Sequence, residues 1–251
     1  MSNKTARSVN GVTETYSYDD LYRLDSFTYD DVGNRTDTGY SIGSSGSDTF
    51  KMNEYASVPF GTNAYDSNGN LIQSSTHTLT YDYRNRMVGF NDGTATTYRY
   101  DALGRRISKD IGGTETRYYA LGSRVIEETT ATNLTTATYV YGNYIDEVLS
   151  MNRNSNNYYY HADDIFNVMA LTNSVGSIAE NYDYDAFGLP TNLSYIGNPY
   201  LFNGREYDTE SGFYNYRTRY LDPLVGRFTT RDTIGIWGDP STRILMWGII
   251  H

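Results

Sequence analysis

The chain has 251 residues, no cysteine and a formal net charge of −10. This acidic balance disfavours a nucleic-acid partner, which needs a basic surface, and the lack of cysteine excludes a disulfide framework. No run of about 18 apolar residues occurs, so the sequence predicts no membrane span.

A tyrosine-aspartate unit recurs along the chain, followed within a few residues by glycine, asparagine or arginine. The clearest copies are Tyr18-Asp19, Tyr29-Asp30, Tyr65-Asp66, Tyr81-Asp82, Tyr100-Asp101 and Tyr184-Asp185. Tyrosines two residues apart share one face of a strand. The aspartate favours a turn, because its carboxylate accepts hydrogen bonds from nearby backbone amides. The repeat therefore predicts an all-β fold, a meandering antiparallel sheet whose units pack on their neighbours.

Turn signals divide the first half of the chain. Residues 39–63 are rich in Ser, Gly, Thr and Asn, and we expect an extended surface loop there. Residues 64–128 are predicted to form hairpins, with Asp92-Gly93 and Gly112-Gly113 as two-residue turns. No segment keeps a helical apolar period over three turns, apart from a weak one at 163–171, so we expect the chain to be almost entirely β.

From Tyr158 onward the pattern changes into a series of distinct motifs. They are Tyr158-Tyr-Tyr160-His161-Ala-Asp163, Tyr182-Asp-Tyr184-Asp185-Ala-Phe187-Gly188, Phe202-Asn-Gly204-Arg205-Glu206-Tyr207-Asp208, Tyr220-Leu-Asp222-Pro223-Leu-Val-Gly226-Arg227-Phe228 and Arg231-Asp232-Thr-Ile-Gly235. Their order and spacing resemble the Rhs/YD-repeat family and its repeat-associated core domain. The resemblance covers residues 14–238 and extends to bacterial polymorphic toxins, the C subunits of insecticidal Tc complexes and teneurins.

The resemblance implies three segments in this chain. Residues 1–157 would form a YD-repeat β-meander, residues 158–238 the repeat-associated core domain, and residues 239–251 an atypical apolar tail. In the family, a long sheet spirals into a hollow shell around a C-terminal toxic polypeptide, and the core domain plugs one end. We expect the sheet of this chain to curl into a spiral or a partial hollow shell.

The resemblance also implies an aspartyl autoprotease, whose first pair matches Arg231 and Asp232. Thr233 departs from the proline that is usual after this pair. The family has a second aspartate about two dozen residues later, whereas Asp239 follows Asp232 by only seven residues. We therefore expect a vestigial site, a C-terminally truncated core domain and no toxin.

The motifs mark a set of residues with expected structural roles. These are Tyr160, His161, Tyr184, Asp185, Gly188, Tyr220, Asp222, Pro223, Gly226, Arg227, Phe228, Asp232 and Gly235. Asp222 and Asp232 would make a general acid-base pair if they shared a proton, but an aspartate at each position more simply begins a turn. His161 beside Asp163 and Asp164 imitates a metal site, yet one histidine is a weak signal. We expect no metal and no cofactor.

Four arginines, Arg217, Arg219, Arg227 and Arg231, lie close together in the sequence near the end of these motifs. Acidic residues are interleaved with them. A charge ladder between paired strands is a simpler reading than an anion-binding site.

The sequence as a whole predicts a non-enzymatic structural shell fragment. A carbohydrate- or protein-binding module of the adhesin or tail-fibre kind is an alternative, because tyrosine-rich surfaces suit such recognition, and a residual aspartyl autoprotease is another. Expected partners are further copies of this chain or other YD-repeat shell chains, with carbohydrate or an enclosed polypeptide as further candidates. The first residues carry no secretory signal. We expect export or surface display without a classical signal peptide, or else a cytoplasmic fragment.

Overall fold

The structure is a computed structural model, and it describes residues 6–9, 12–15, 34–42, 54–75 and 77–232. The chain divides into two compact units. The first unit contains residues 1–78 and 229–251, and the second contains residues 79–228. Between them, the described residues contain no α-helix, and their one helical piece is a 3-10 turn at Phe202–Gly204.

The described part of the chain contains 21 β-strands. Their bounds are β1 (Ala6–Val9), β2 (Val12–Thr15), β3 (Ser41–Ile42), β4 (Tyr55–Val58), β5 (Gly61–Tyr65), β6 (Leu71–Ser74), β7 (His77–Tyr81), β8 (Met87–Asn91), β9 (Ala95–Tyr100), β10 (Arg106–Ile111), β11 (Thr114–Leu121), β12 (Arg124–Thr130), β13 (Thr135–Tyr141), β14 (Val148–Arg153), β15 (Asn156–Ala162), β16 (Val168–Asn173), β17 (Ile178–Asn181), β18 (Glu206–Asp208), β19 (Phe213–Asn215), β20 (Tyr220–Asp222) and β21 (Arg227–Phe228). None of the described segments forms a helix long and apolar enough to cross a membrane.

The strands form three antiparallel sheets in which neighbours in sequence are neighbours in space. Strands β3 to β17 make one open sheet of 15 strands in chain order, β18 to β21 make a four-stranded sheet, and β1 and β2 pair as a hairpin. Such a meander needs only short connections between antiparallel neighbours. The predicted all-β antiparallel fold is confirmed.

The tyrosine-aspartate unit closes several of the hairpins by a common set of bonds. Tyr81 is the last residue of β7, and the next residue, Asp82, accepts hydrogen bonds through Oδ1 from the amides of Arg84 (2.9 Å) and Arg86 (3.0 Å). Asn85 takes a positive φ of 59° between them. Bonds to the amides two and four residues later are repeated at Asp66, Asp101, Asp163, Asn173 and Asp185.

The arginine that follows the turn returns to the aspartate and to the next strand. Arg86 Nε donates to Asp82 Oδ2 at 2.7 Å, and its guanidinium lies 4.8 Å from the ring centre of Tyr100 in β9. Arg105 repeats the bond to Asp101 at 2.6 Å. A charge-assisted bond of this kind stabilises the turn, and it places the arginine guanidinium next to the tyrosine ring of the neighbouring strand.

Three local expectations from the sequence are corrected by the structure. The surface loop expected at 39–63 contains β3, β4 and the start of β5, and Tyr55 in β4 is almost fully buried. The Asp92-Gly93 turn has a third residue, Thr94, because Asn91 pairs with Ala95. The weak helical period at 163–171 is instead a turn that leads into β16. Tyr55 and Val58, an aromatic and a β-branched residue, are both buried in β4 and favour a strand despite the polar residues around them, which explains the first error.

The core of the second unit is rich in tyrosines whose hydroxyl groups bond to the main chain. Tyr214 is fully buried and donates to the carbonyl of Gly188 at 2.7 Å, while Tyr141 donates to Val125 at 2.9 Å. Rings of this kind pack like aliphatic groups while their hydroxyls require a polar partner. Aromatic rings and the main-chain carbonyls they bond to therefore pack in this core beside aliphatic side chains.

One end of the long sheet is covered by a loop. The side chain of Asn192 donates to the carbonyl of Asn181 in β17 at 2.7 Å, and the hydroxyl of Tyr195 donates to the carbonyl of Ala179 in the same strand. Two main-chain acceptors of this end strand are thus satisfied by side chains of a loop, without a further strand.

Replacing Asp185 by alanine is expected to lower the free energy of unfolding by about 1–3 kcal/mol, because the amides of Phe187 and Leu189 lose their acceptor. Urea denaturation followed by tyrosine fluorescence measures this change. Asp92→Ala is the matched control, since Asp92 lies in an exposed turn and accepts one longer bond, 3.2 Å from the amide of Thr94. It should change stability by less than about 0.5 kcal/mol. Equal losses in the two variants would contradict the role of the turn.

Candidate functional site: a buried charge cluster between the two sheets

Arg106 is the charged residue around which the second unit is arranged. It begins β10 of the long sheet and is 6 % exposed. Its guanidinium donates from Nη1 to Asp208 Oδ2 at 2.5 Å and from Nη2 to Asp208 Oδ1 at 3.0 Å, and Nη2 lies 2.5 Å from Glu206. Both acids belong to β18 of the four-stranded sheet. A bidentate contact of this kind fixes both distance and orientation.

Aromatic groups complete the surroundings of this guanidinium. The rings of Tyr98 and Tyr118 have their centres 5.3 and 5.1 Å from it, and the hydroxyl of Tyr220 accepts a hydrogen bond from Nη1 at 3.0 Å. Arginine stacks on aromatic faces more readily than lysine because its charge is planar and weakly hydrated. The cluster thus joins β9, β10 and β11 of the long sheet to β18 and β20.

A second cation, Lys109, extends the cluster along β10. Its Nζ lies 2.8 Å from Asp208 and 3.2 Å from Glu210. The hydroxyl of Tyr98 donates to Glu210 Oε1 at 3.0 Å. Two cations therefore face three carboxylates, and every charge of the cluster has an opposite charge within hydrogen-bonding distance.

The pKa directions follow from this arrangement. Burial by itself would raise the pKa of Asp208, but the charges and hydrogen bonds of Arg106 and Lys109 reverse the effect and hold that pKa below its ordinary value. Burial raises the pKa of Glu206 and of Glu210, and the nearby charge of Asp208 raises both further. Asp208 is the ionised centre of the cluster.

The geometry of this cluster suits electrostatic stabilisation of the fold and does not suit catalysis by Asp208. The carboxylate of Asp208 is completely buried and is held by two cations. A general base must reach the proton it removes, and a nucleophile must reach its substrate. The cluster therefore holds the long sheet and the four-stranded sheet together through ion pairs.

Comparison with known proteins identifies the family. The family model of the teneurin YD-shell matches residues 6–243. The chain belongs to the teneurin YD-shell family. The YD-repeat resemblance of its motifs is thereby confirmed.

Relatives of this YD-shell chain include two long bacterial proteins. It is 34 % identical over 220 residues to the tRNA3(Ser)-specific nuclease WapA of Bacillus spizizenii, a match that covers 82 % of this chain and 9 % of the relative. It is 25 % identical over 224 residues to the toxin protein Tse5 of Pseudomonas aeruginosa, covering 70 % of this chain and 17 % of the relative. The chain thus spans less than a fifth of these relatives.

A solved structure shares the fold. The Tc holotoxin pore of Photorhabdus luminescens superposes with a TM-score of 0.62 at 16 % sequence identity, over 90 % of this chain and 14 % of that chain. At this low identity the likeness concerns the fold alone. The YD-shell fold of this chain is therefore related to the fold found in the Tc toxin.

The two candidate aspartates of the YD-shell chain have different surroundings. Asp222 is buried in the second unit, and its Oδ1 accepts a hydrogen bond from the amide of Leu224 at 2.9 Å across the buried Pro223. Asp232 is exposed and belongs to the first unit. Arg231, beside it, lies 2.6 Å from Glu54 in that same unit. Gly235 lies outside the described residues.

Two motif glycines lie against aromatic rings. Gly188 has a φ of 88°, and a Cβ on it would lie 2.5 Å from the ring of Phe202. Gly226 has a φ of 66°, and a Cβ on it would lie 2.6 Å from the ring of Phe187. Both the backbone angle and the lack of space require glycine at these positions.

The aromatic motif residues have partners in the second unit. Tyr160 donates to Asn198 Oδ1 at 2.6 Å, and Tyr184 donates to the carbonyl of Val168 at 2.6 Å. Phe228 packs under the guanidinium of Arg219, which lies 3.8 Å from the centre of its ring.

The remaining motif residues are placed as follows. Arg227 pairs with Asp222 along the β20–β21 ladder. His161 is exposed, and its Nε2 lies 3.0 Å from Thr172 Oγ1. Across the ranges that the structure describes, no group of three or more His, Asp or Glu side chains is placed to hold a metal.

Of the cluster, the motifs mark Tyr220 as structural, and Glu206 and Asp208 lie within a motif without an assigned role. The repeat pattern indicates no special role for Arg106, which follows a turn after Tyr100-Asp101. One signal was available: Arg106 and Lys109 are cations in a strand that lines an aromatic core, and a buried cation requires an acid. The partner, 102 residues away, could not be identified from local pattern.

Replacing Asp208 by asparagine is expected to lower the free energy of unfolding by about 3–5 kcal/mol, because Arg106 and Lys109 would remain buried without their shared carboxylate. Chemical denaturation at neutral pH measures the loss. Arg99→Gln is the control, since the Arg99 side chain is 68 % exposed and its ion pair with Glu115 is long, 3.4 Å. An exposed pair of this kind contributes at most about 1 kcal/mol.

The pH dependence of the same variant gives a second readout. A carboxylate with a lowered folded pKa contributes stability above its unfolded pKa, about 3.9, and loses this contribution as the pH falls towards the folded value. The stability difference between the wild type and Asp208→Asn should therefore shrink as the pH falls below about 4. A difference that stays constant down to the acid transition would contradict the assignment of Asp208 as the ionised centre.

Proposed function

We propose that this chain is a non-enzymatic structural segment of a YD-repeat shell, related to the shells that enclose a C-terminal toxin. The observation that carries the proposal is the use made of buried acids in the second unit. Asp208 fastens one sheet to the other through Arg106. Glu128 binds Arg153 at 2.6 Å and the hydroxyl of Tyr139 at 2.5 Å. These acids hold strands together, which is a structural role and is what the wall of a protein shell requires.

A third buried acid, Glu180 in β17, supports the same role. It accepts hydrogen bonds from the amides of Tyr195 (2.6 Å) and Ile196 (2.9 Å) and from the hydroxyl of Ser194 (2.8 Å). This carboxylate anchors the covering loop at the end of the long sheet. A carboxylate accepts a limited number of hydrogen bonds, and Glu180 accepts three of them from this loop.

The comparison with longer relatives supports a structural role for the shared segment. The match to the WapA nuclease covers 9 % of that protein and 82 % of this chain, and because the YD-shell model spans residues 6–243, most of that match falls within the shell segment. The net charge of −10 also disfavours a surface for tRNA. We assign wall formation to the shared segment and the nuclease activity to the rest of the relative.

The purified chain is expected to keep its full mass of 28.5 kDa on prolonged incubation and to leave total tRNA intact. Intact-mass spectrometry and gel electrophoresis of the tRNA measure the two outcomes. Asp232→Asn should behave as the wild type, because Asp232 is exposed and its neighbour Arg231 is paired with Glu54. A discrete fragment that disappears in Asp232→Asn would establish the autoprotease instead, and tRNA cleavage would overturn the structural assignment.

We also propose that the chain associates with further copies of itself or with other YD-repeat chains. The open 15-stranded sheet has two end strands, and end strands offer unpaired main-chain groups to another chain. The loop of Asn192 and Tyr195 covers part of β17. The apolar residues 244–250, which lie outside the described residues, would add a second contact.

Light scattering on the full chain and on a version that ends at Gly235 tests this association. The full chain should exceed the mass of a monomer at micromolar concentration. A monomeric shortened chain would assign the contact to the tail, and an associated one would assign it to an end strand. Monomers in both samples would refute the proposal.

A further inference from the structure

A cavity of about 220 Å³ lies beside the charge cluster in the second unit. It is lined on one side by residues of β10, β11 and β12, and on the other by the segments around Asp146, Arg205 and Arg217. Arg105 and Arg124 also line it. Four guanidinium groups that are not needed for the Arg106 cluster therefore surround one space, although the chain as a whole has a net charge of −10.

The charges of this cavity do not balance. Arg205 Nη2 lies 2.9 Å from Asp146 Oδ2, and Arg217 pairs with the other oxygen of the same carboxylate. Arg124 Nη2 instead donates to the carbonyls of Asn143 (3.1 Å) and Tyr144 (2.9 Å). Two of these three cations thus share one acid, and the third is held by main-chain carbonyls.

The two remaining charge pairs of the cavity add no compensation. Arg105 is matched by Asp101 at 2.6 Å. Glu206, which also lines the cavity, is matched by Arg106 at 2.5 Å. The cavity wall therefore keeps an excess of two positive charges, carried by the group of Arg124, Arg205 and Arg217 with Asp146.

Arg205 is the least satisfied member of this group. Its Nε is buried and has no hydrogen-bond partner. Burial lowers the pKa of its guanidinium, Asp146 opposes this, and the like charge of Arg217 lowers the pKa further. A buried donor without an acceptor costs stability, so an incoming anion would relieve both the missing bond and the repulsion.

Several of the other lining residues are apolar and favour an organic anion over an inorganic one. Leu103 and Ile145 are exposed beside the arginines, and Val125, Tyr141 and Tyr200 also line the space. An inorganic anion would meet the charges and leave these groups in water. A carboxylate on a peptide, with an apolar neighbour, would engage the charges and cover the apolar surface together.

We propose that this cavity binds an acidic segment of polypeptide through one of its side-chain carboxylates, with Arg124, Arg205 and Arg217 as the binding residues. Asp146 acts as an internal competitor that occupies two of the arginines when the segment is absent. This site is independent of the proposed wall role, since it requires only the geometry of the second unit.

The probe is an acetylated and amidated peptide of sequence Leu-Glu-Leu-Glu, titrated into the full chain by isothermal calorimetry. The neutral peptide Leu-Gln-Leu-Gln is its matched control and should bind at least tenfold more weakly. Arg124→Gln should weaken the acidic peptide by roughly tenfold, the factor of one charge-assisted hydrogen bond. Arg99→Gln removes the same charge from an exposed place on β9 and should leave the affinity unchanged.

The direction of the affinity change in Asp146→Asn is the decisive test. Removing the competing carboxylate frees two guanidinium groups, so the acidic peptide should bind more tightly than to the wild type, by roughly threefold or more. A cluster with only a structural role would gain no affinity from this change. If Asp146→Asn does not fold, the comparison of Arg124→Gln with Arg99→Gln stands by itself.

Besides an unchanged affinity in a folded Asp146→Asn, three results would overturn the proposal. The first is equal binding of the glutamate and glutamine peptides. The second is an equal loss in Arg124→Gln and Arg99→Gln, which would reveal unspecific attraction. The third is inorganic phosphate that binds more tightly than the peptide and displaces it, which would assign the cavity to a small anion. None of these results depends on whether the chain forms a shell.

Discussion

The contact between Arg106 and Asp208 is the constraint on which the second unit depends. It joins a strand of the long sheet to a strand of the small one through two hydrogen bonds of 2.5 and 3.0 Å. The same region contains Lys109, Glu206 and stacked tyrosines. Buried ion pairs contribute little net stability over apolar groups of the same shape, but removal of one partner is costly. Such a pair defines where one sheet sits on the other more than it strengthens the contact.

A second, smaller device recurs at several turns. The aspartate after a strand, as at Asp82, gathers two amides of the following turn, and the arginine four residues later returns to it. Because the bonds are local, each hairpin is specified by its own few residues. The long sheet is therefore specified mostly by local contacts, and the Arg106 cluster supplies a long-range contact.

These two devices explain what the sequence could and could not predict. The strand ends at Tyr65, Tyr81 and Tyr100 follow from a local rule and were predicted. The strand at Tyr55 is not predicted, because the Ser- and Gly-rich composition of residues 39–63 is typical of a loop. The partner of Arg106 was missed because pairing across about a hundred residues leaves no local pattern. The aromatic rings that leave no room for a Cβ at Gly188 and Gly226 are likewise brought there by tertiary packing, so local pattern does not predict them.

The loop over β17 has a consequence for how long the sheet can become. An antiparallel meander extends by adding whichever strand comes next, and nothing in its pairing rule fixes a final number. The side chains of Asn192 and Tyr195 occupy carbonyls that an added strand would use. The loop therefore stands where a sixteenth strand would pair, and it limits growth of the array at its β17 end.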